Sequence, residues 1–231
     1  MADNEPKVVL LAGASGFVGN LALDVLLESA DISRVFAVTR RPLGREHPRL
    51  ANRIVRFDQI ESQLKGLTCH FALCSLGTTM RHAGSEQAFR EADVDAVLAF
   101  ARAAKAAQAQ RFVVVSSAAA DPKSKNFYLR TKGEVEQALA GLGFTSLDIL
   151  QPSVMLGWRG EIRPLELLAS ALMPLVNPFL TGKRELYRGI AARTVAAAMV
   201  GVTRSGRRGV QRYTYSGIEA LAKIKPVRTV K

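Results

Sequence analysis

The stretch that decides the fold is Val8-Val9-Leu10-Leu11-Ala12-Gly13-Ala14-Ser15-Gly16-Phe17-Val18-Gly19-Asn20. Its apolar run over residues 8–12 is typical of a strand that is buried on both faces. Three glycines follow at intervals of three residues, and an apolar helical pattern runs over residues 21–27. A strand, a glycine-rich turn and a helix in this order form the phosphate-binding unit of dinucleotide folds.

Each glycine has its own steric role in such a unit. Gly13 permits the tight turn, Gly16 lets the backbone approach a pyrophosphate, and Gly19 lets the helix pack against the strand. The N-terminus of the helix offers unpaired N–H groups to the anion. The stretch therefore predicts cofactor binding, with a purely structural turn as the alternative. The residues predicted to bind are Gly13, Ala14, Ser15, Gly16, Phe17, Val18 and Gly19.

Strands and helices alternate along the rest of the chain. Strands are predicted at residues 34–39, 53–57, 69–74, 111–117, 146–152 and 210–215, and helices at 85–108, 126–140, 191–202 and 217–222. This alternation predicts an α/β fold, a Rossmann-like doubly wound parallel sheet, in one domain over residues 1–231. Residues 157–222 are expected to form a small C-terminal region covering the substrate, and residues 223–231 a frayed tail.

The composition argues against several classes of protein. The net charge is +12, with 32 Lys and Arg against 20 Asp and Glu, but the arginines are scattered, so specific nucleic-acid binding is not expected. No window of about 18 apolar residues exists, so no membrane insertion is expected. The polar, acidic start lacks the features of a signal peptide, and we expect a cytoplasmic protein.

The two cysteines, Cys69 and Cys74, fall on one predicted strand. They are five residues apart, so their side chains should point to opposite faces. A disulfide or a shared metal is therefore not expected, and no metal site is predicted from the histidines either. Both thiols are expected to be small buried hydrophobic groups.

The end of the second predicted strand is the position that selects the cofactor. An acidic residue there would bind the ribose 2′-hydroxyl of NAD, whereas this chain has Thr39, Arg40 and Arg41. Guanidinium groups match a 2′-phosphate, so NADP(H) is favoured over NAD, the alternative being two solvated arginines. Asp58, after the third strand, is predicted either to reach the adenine amino group or to cap the following helix.

Ser117, Tyr128 and Lys132 form the candidate catalytic set. Tyr128 and Lys132 are four residues apart and share one helix face, and Ser117 lies where the fifth strand ends. An ammonium near a tyrosine favours the phenolate, which suits proton transfer during hydride transfer. A serine hydroxyl would hold the substrate oxygen, and Lys132 would also bind the nicotinamide ribose. The alternative is a packed aromatic and a solvated lysine.

The chain resembles an atypical short-chain dehydrogenase/reductase, and more narrowly the Tat-interacting protein family of NADPH-binding proteins and its bacterial relatives. The resemblance runs from residue 7 to about residue 222. It rests on Gly13-Ala14-Ser15-Gly16-Phe17-Val18-Gly19, Cys74-Ser75-Leu76-Gly77-Thr78-Thr79, Val115-Ser116-Ser117, Asn126-Phe127-Tyr128-Leu129-Arg130-Thr131-Lys132-Gly133-Glu134-Val135-Glu136 and Arg163-Pro164. It implies a Rossmann fold, NADP(H) binding and a Ser-Tyr-Lys set. Many relatives have Arg-Pro where this chain has Gln151-Pro152.

Loops after the strand ends should complete the cofactor site. Further contacts are predicted at Leu76, Gly77, Thr78, Ser116, Pro152 and Val154, besides Tyr128 and Lys132. Pro152 is expected to lie behind the nicotinamide.

The predicted function is an NADP-dependent oxidoreductase for a small carbonyl or alcohol that the sequence does not identify. The alternative is a non-catalytic NADPH-binding regulator or interaction protein with the same fold. The chain is also a candidate for homodimer formation or for binding a protein partner. A sugar-nucleotide epimerase is disfavoured, because only about 70 residues follow Gly157.

Overall fold

The central element is a parallel sheet of seven strands. The computed structural model describes residues 6–157, 177, 180 and 182–224. The seven strands are β1 (Lys7–Ala12), β2 (Ile32–Thr39), β3 (Leu50–Ile54), β4 (Phe71–Cys74), β5 (Arg111–Val115), β6 (Ser146–Leu150) and β9 (Gly209–Tyr213). They lie side by side in the order β3-β2-β1-β4-β5-β6-β9. Two short strands, β7 (Met155–Leu156) and β8 (Ile190–Ala191), pair separately.

Helices cover both faces of the sheet. They are α1 (Phe17–Glu28), α2 (Ile60–Gln63), α3 (Met80–Ala83), α4 (Glu86–Arg90), α5 (Ala96–Ala106), α6 (Phe127–Ala140), α7 (Ala192–Gly201) and α8 (Tyr215–Ala222). A π-helical turn, Glu91–Asp95, joins α4 to α5. Helices α1, α7 and α8 pack together, as do α2, α5 and α6. The predicted Rossmann-like doubly wound fold is therefore confirmed.

The alternation of side chains along β1 explains the two cores. Val9 and Leu11 face the layer of α1 and α7, whereas Leu10 and Ala12 face the layer of α5 and α6. All four are fully buried, as expected for a central parallel strand. The order of strands reverses between β1 and β4, and ligands of open α/β sheets bind in the crevice at such a point.

The third strand lies earlier than predicted, at Leu50–Ile54 rather than residues 53–57. Its ladder with β2 includes Asn52, whose amide donates to the Ala37 carbonyl and to Thr39 Oγ1 and accepts from Leu43 N–H. A polar residue is tolerated there because β3 is an edge strand. The prediction failed because this segment has no continuous apolar run.

The expected opposite placement of the cysteines is wrong. β4 begins at Phe71, so Cys69 precedes the regular alternation, and Cys69 and Cys74 pack in the same core. Both are free and buried. Burial raises the pKa of each thiol to about 12, so both are neutral thiols at neutral pH.

The region expected to cover the substrate contributes in part to the sheet itself. Gly209–Tyr213 adds β9 beside β6, and α7 packs on α1. Residues 158–176 of that region and 225–231 of the expected tail lie outside the described residues. Among the described helices, none is both long enough and apolar enough to cross a membrane.

Candidate functional site

The glycine turn lies at the carboxyl end of β1, in the crevice at the switch point. Gly13 has a φ of +86°, which a residue with a side chain rarely adopts. A Cβ on Gly19 would lie 2.0 Å from the Gly13 carbonyl oxygen, so only glycine lets α1 approach the turn this closely. Ser75, after β4, donates from its backbone N–H and its hydroxyl to the Ala12 carbonyl and closes the turn from the other side.

Gly16 differs from the other two glycines. The nearest atom to a Cβ placed there is the Gly13 carbonyl oxygen at 3.1 Å, and no other atom lies within 4 Å. Gly16 is also the N-cap of α1 and makes no side-chain cap hydrogen bond. The N-cap of α1 therefore supplies no side-chain acceptor of its own, which is the geometry that receives a phosphate.

Arg40 and Arg41 stand out among the six arginines of residues 40–56. The other four are engaged: Arg45 with Asp24, Arg49 with the backbone carbonyls at the end of α1, Arg53 over the Phe36 ring, and Arg56 with Asp58. Arg40 and Arg41 are exposed, and neither side chain has a partner among the described residues. The backbone of these two arginines is fixed at the end of β2, because Thr39 Oγ1 donates to the Arg41 carbonyl at 2.7 Å.

Asp58 does not act as the helix cap that the sequence allowed. It lies in a 3₁₀ turn, Phe57–Gln59, and Gln59 is the N-cap of α2. Its carboxylate makes an exposed ion pair with Arg56 at 2.8 Å. The hydrogen bond from Arg56 lowers the pKa of Asp58, which is ionised at neutral pH. Contact with adenine, the other alternative, would have to compete with Arg56.

Tyr128 and Lys132 share one face of α6, as their spacing predicts. Asn126 caps this helix by accepting from Leu129 N–H at 3.1 Å. The Lys132 ammonium lies 6.0 Å from the centroid of the Tyr128 ring, and the ring packs at 5.6 Å against that of Phe89. The tyrosine is half-buried and the lysine is buried, so the alternative of a solvated lysine is excluded.

The partner of Lys132 is Asp93, a residue that the sequence analysis missed. Its Oδ1 lies 2.5 Å from Lys132 Nζ, and its Oδ2 accepts from Thr78 N–H at 2.7 Å. Burial alone would lower the pKa of Lys132, but the attraction of Asp93 raises it overall. Lys132 is therefore an ammonium at neutral pH.

The two serines after β5 have different surroundings. Ser117 is half-buried, and its hydroxyl donates only to the Ala118 carbonyl, at 3.3 Å, among the residues that the structure describes. No hydrogen bond joins it to Tyr128, and both remain available to a ligand. Ser116 is buried, and its hydroxyl donates to Glu136 at 2.6 Å, so this side chain is engaged within the protein.

Glu136 is a second buried carboxylate that the sequence analysis did not single out. It lies one helical turn beyond Lys132 on α6 and is 3% exposed. Its Oε1 accepts from Ser116 and from the Gln151 amide, and its Oε2 accepts from Arg212 Nε at 2.9 Å. Arg212 on β9 thus supplies the positive charge that is absent from position 151.

Arg212→Ala should lower the free energy of unfolding by about 1–3 kcal/mol, because the buried Glu136 carboxylate keeps only neutral donors. Urea unfolding measures this loss. Arg208→Ala, which removes the same charge from an exposed side chain nearby, should change stability by less than about 0.5 kcal/mol. Equal losses in the two variants, or no recovery when Gln151→Arg is added to Arg212→Ala, would contradict this assignment.

Gly133 lies at the centre of the stretch Lys132-Gly133-Glu134-Val135-Glu136, at a position where only glycine fits. A Cβ on Gly133 would lie 2.2 Å from Pro122 N, so the loop after β5 crosses α6 at this point. On either side of Gly133, Lys132 pairs with Asp93 and Glu136 pairs with Arg212, while Glu134 makes an exposed ion pair with Arg90.

The sequence signal for Asp93 was a carboxylate on the apolar side of a helix, four residues from Phe89 and from Val97.

The predicted residues Leu76, Gly77 and Thr78 follow β4, and Pro152 and Val154 follow β6, so both segments lie at the carboxyl edge of the sheet. Leu76 packs partly into the core of α5 and α6. A Cβ on Gly77 would lie 3.2 Å from Asp93 Oδ1, so this loop rests on the buried ion pair. Val154 is 41% exposed, which leaves an apolar surface at the mouth of the crevice.

Residues 9–138 match the model of the NAD dependent epimerase/dehydratase family, and this range contains the glycine turn, Ser117, Tyr128 and Lys132. Protein HTATIP2 of Rattus norvegicus is 37% identical over 167 residues, which cover 71% of this chain and 69% of that protein. The mitochondrial protein FMP52 of Lodderomyces elongisporus is 38% identical over 165 residues, which cover 66% of this chain and 68% of that protein.

Solved structures of other proteins share this fold. The enzyme WbmH of Bordetella bronchiseptica, in complex with NAD+, superposes with a TM-score of 0.67 at 15% identity, over 94% of this chain and 79% of that chain. A short chain dehydrogenase from Burkholderia cenocepacia, in complex with NADP, gives a TM-score of 0.64 at 16% identity, over 94% and 91%. The resemblance noted in the sequence is confirmed by the two curated relatives and by the family match. The chain therefore belongs to the NAD dependent epimerase/dehydratase family, among the HTATIP2- and FMP52-like proteins of short-chain dehydrogenase/reductase type.

Proposed function

We propose that the protein is an NADP(H)-dependent oxidoreductase that interconverts a small carbonyl compound and its alcohol. The observation that carries this proposal is the pairing on α6, where the Lys132 ammonium lies 6.0 Å from the Tyr128 ring centroid. A half-buried phenol beside a buried ammonium is suited to proton transfer at a substrate oxygen. The family to which the chain belongs is NAD dependent, which supports a nicotinamide dinucleotide as the cofactor.

The glycine turn supports the fit of a dinucleotide. The space beside Gly16 is open, and a side chain there would fill it. In this proposal the glycine turn and the N-terminus of α1, residues 13–19, hold the pyrophosphate, and Arg40 and Arg41 hold the 2′-phosphate through charge-assisted hydrogen bonds. The remaining contacts come from Asp58, from Leu76, Gly77 and Thr78, from the backbone at Ser116, and from Pro152 and Val154.

The chemistry divides between cofactor and protein. When bound, NADPH supplies the hydride that the carbonyl carbon accepts. The Ser117 hydroxyl donates a hydrogen bond that fixes the carbonyl oxygen, and Tyr128 Oη donates the proton that this oxygen gains, so the product is a neutral alcohol. The Lys132 ammonium favours the resulting phenolate until solvent returns the proton to Tyr128. In this proposal the same ammonium also holds the nicotinamide ribose.

The non-catalytic NADPH-binding regulator remains the alternative function, since a cofactor site does not by itself imply turnover. Consumption of NADPH over a panel of carbonyl compounds separates the two functions. The cytoplasmic location also stays a prediction. The FMP52 relatives are named mitochondrial proteins, so fractionation of cells that express the tagged protein should compare these two compartments.

The cofactor preference gives a direct test. Fluorescence titration should show tighter binding of NADPH than of NADH, by roughly 1.5–3 kcal/mol, because only NADPH offers the 2′-phosphate to Arg40 and Arg41. The double variant Arg40→Ala, Arg41→Ala should lose this preference and weaken NADPH binding about tenfold or more.

Arg45→Ala is the matched control for this titration. It removes a cation from the same segment, but one that is already paired with Asp24 at 2.5 Å. NADPH affinity should change less than about twofold in this control. Equal affinities for the two cofactors in the wild type, or unchanged NADPH affinity in the double variant, would refute NADP specificity.

A further inference from the structure

We propose that Asp93 is a positioning residue that keeps Lys132 charged and fastens it to the loop of residues 76–78 on the cofactor side. This inference deepens the proposed function and rests on it for the role of Lys132. Asp93 touches neither substrate nor cofactor in this proposal. It acts through the lysine and through the backbone of Thr78.

The contacts of Asp93 account for both of its oxygens. Oδ1 binds Lys132 Nζ at 2.5 Å, and Oδ2 accepts from Thr78 N–H at 2.7 Å. The side chain is completely buried, and Gly77 leaves the space that its carboxylate needs. One carboxylate therefore joins the loop after β4 to the helix that carries Tyr128.

The backbone that presents Asp93 is unusual. Residues Glu91–Asp95 form a π-helical turn between α4 and α5. Such turns are rare and occur often at functional sites, because the extra residue changes the direction of the side chains. Here the turn places an acidic residue on the apolar side of the helix, in line with Phe89 and Val97.

The energetics argue against a merely structural purpose. Burying an ion pair costs desolvation of two charges, and a well-packed apolar pair of the same volume is often equally stable or more so. A cavity of about 10 Å³ borders the pair and is also lined by Ser116 and Glu136.

The groups that face Lys132 are few. Asp93 approaches from the π-helical turn, Tyr128 from the same helix, Cys74 from β4, and Glu136 across the small cavity. Cys74 is a neutral thiol, and Glu136 is engaged by Ser116, Gln151 and Arg212. Asp93 is the carboxylate in direct contact, so its removal leaves a buried ammonium without its counter-ion.

Nitrogen NMR of the lysine side chains tests this in the absence of any cofactor. In the wild type, the Asp93 carboxylate should hold the pKa of Lys132 above that of an ordinary lysine. In Asp93→Asn, which keeps the shape and loses the charge, its titration midpoint should fall by about 1–3 pH units. Asp95→Asn removes the same charge from an exposed position of the same turn and should leave the Lys132 midpoint unchanged.

Titration of NADPH between pH 6 and pH 10 supplies the functional readout. Asp93→Asn should bind NADPH about tenfold more weakly at pH 9.5 than at pH 7, whereas wild type and Asp95→Asn should follow one common profile. If Asp93 only stabilised the fold, its replacement by Asn would not change the pH dependence of NADPH binding. An unchanged Lys132 midpoint, or identical NADPH profiles in Asp93→Asn and wild type, would overturn the proposal.

The outcomes separate the two proposals. If the wild type does not bind NADPH, the proposed function fails, and the NMR midpoint still decides the role of Asp93. If Asp93→Asn does not fold, proton exchange in the wild type tests the pairing of Asp93 with Lys132. The ammonium protons of Lys132 should then exchange with water far more slowly than those of the exposed Lys65, and equal exchange rates would refute the pairing.

Discussion

Replacement of Tyr128 by phenylalanine is expected to lower turnover roughly 10²–10⁴-fold while NADPH affinity stays nearly unchanged. The variant keeps the ring that packs against Phe89 and removes only the oxygen that carries the proton. NADPH consumption with any carbonyl compound that the wild type reduces gives the turnover, and fluorescence titration gives the affinity.

Two further variants serve as comparisons for Tyr128→Phe. Tyr187→Phe makes the same chemical change at a side chain that is 58% exposed and should retain full turnover. Lys132→Ala should weaken both turnover and NADPH binding, because one ammonium serves the phenolate and the ribose. Full activity of Tyr128→Phe would show that the tyrosine is not the acid. Tight NADPH binding without turnover of any carbonyl compound would favour the regulator.

Gly16→Val should abolish NADPH binding, with a loss of affinity of at least about 100-fold, and should leave the protein folded. The new side chain would occupy the space proposed for the pyrophosphate. The free energy of unfolding should change by less than about 1 kcal/mol, because Gly16 has an extended φ of −86° and a Cβ there meets only the Gly13 carbonyl oxygen, at 3.1 Å. Fluorescence titration and urea unfolding measure the two effects.

Gly19→Ala is the contrasting control. Its Cβ would lie 2.0 Å from the Gly13 carbonyl oxygen and 2.5 Å from Ser75 Oγ, so α1 must move away from β1. We expect a stability loss of several kcal/mol, of order 3 or more, for this single methyl group. Normal NADPH uptake by a folded Gly16→Val variant would show that the phosphate does not bind at this turn.

The fold could be predicted because its signals are local. The strand over residues 8–12, the glycine turn and the helix that follows lie within one short stretch, and alternation of strands and helices implies a parallel sheet. The shared face of Tyr128 and Lys132 follows from the helical period alone. The bounds of β3 and the shared core of the two cysteines were missed, since pairing across the sheet decides where a strand begins.

The surroundings of the candidate site depend on contacts between distant segments. Asp93 reaches Lys132 across 39 positions, and Arg212 reaches Glu136 across 76. Neither pair has a sequence spacing that predicts it, because the order of the strands and the packing of helices determine which distant residues meet. The sequence by itself indicated the candidate residues Ser117, Tyr128 and Lys132. The tertiary structure decided which buried charges lie beside them, since a charge inside a protein must find its partner wherever the fold brings one near.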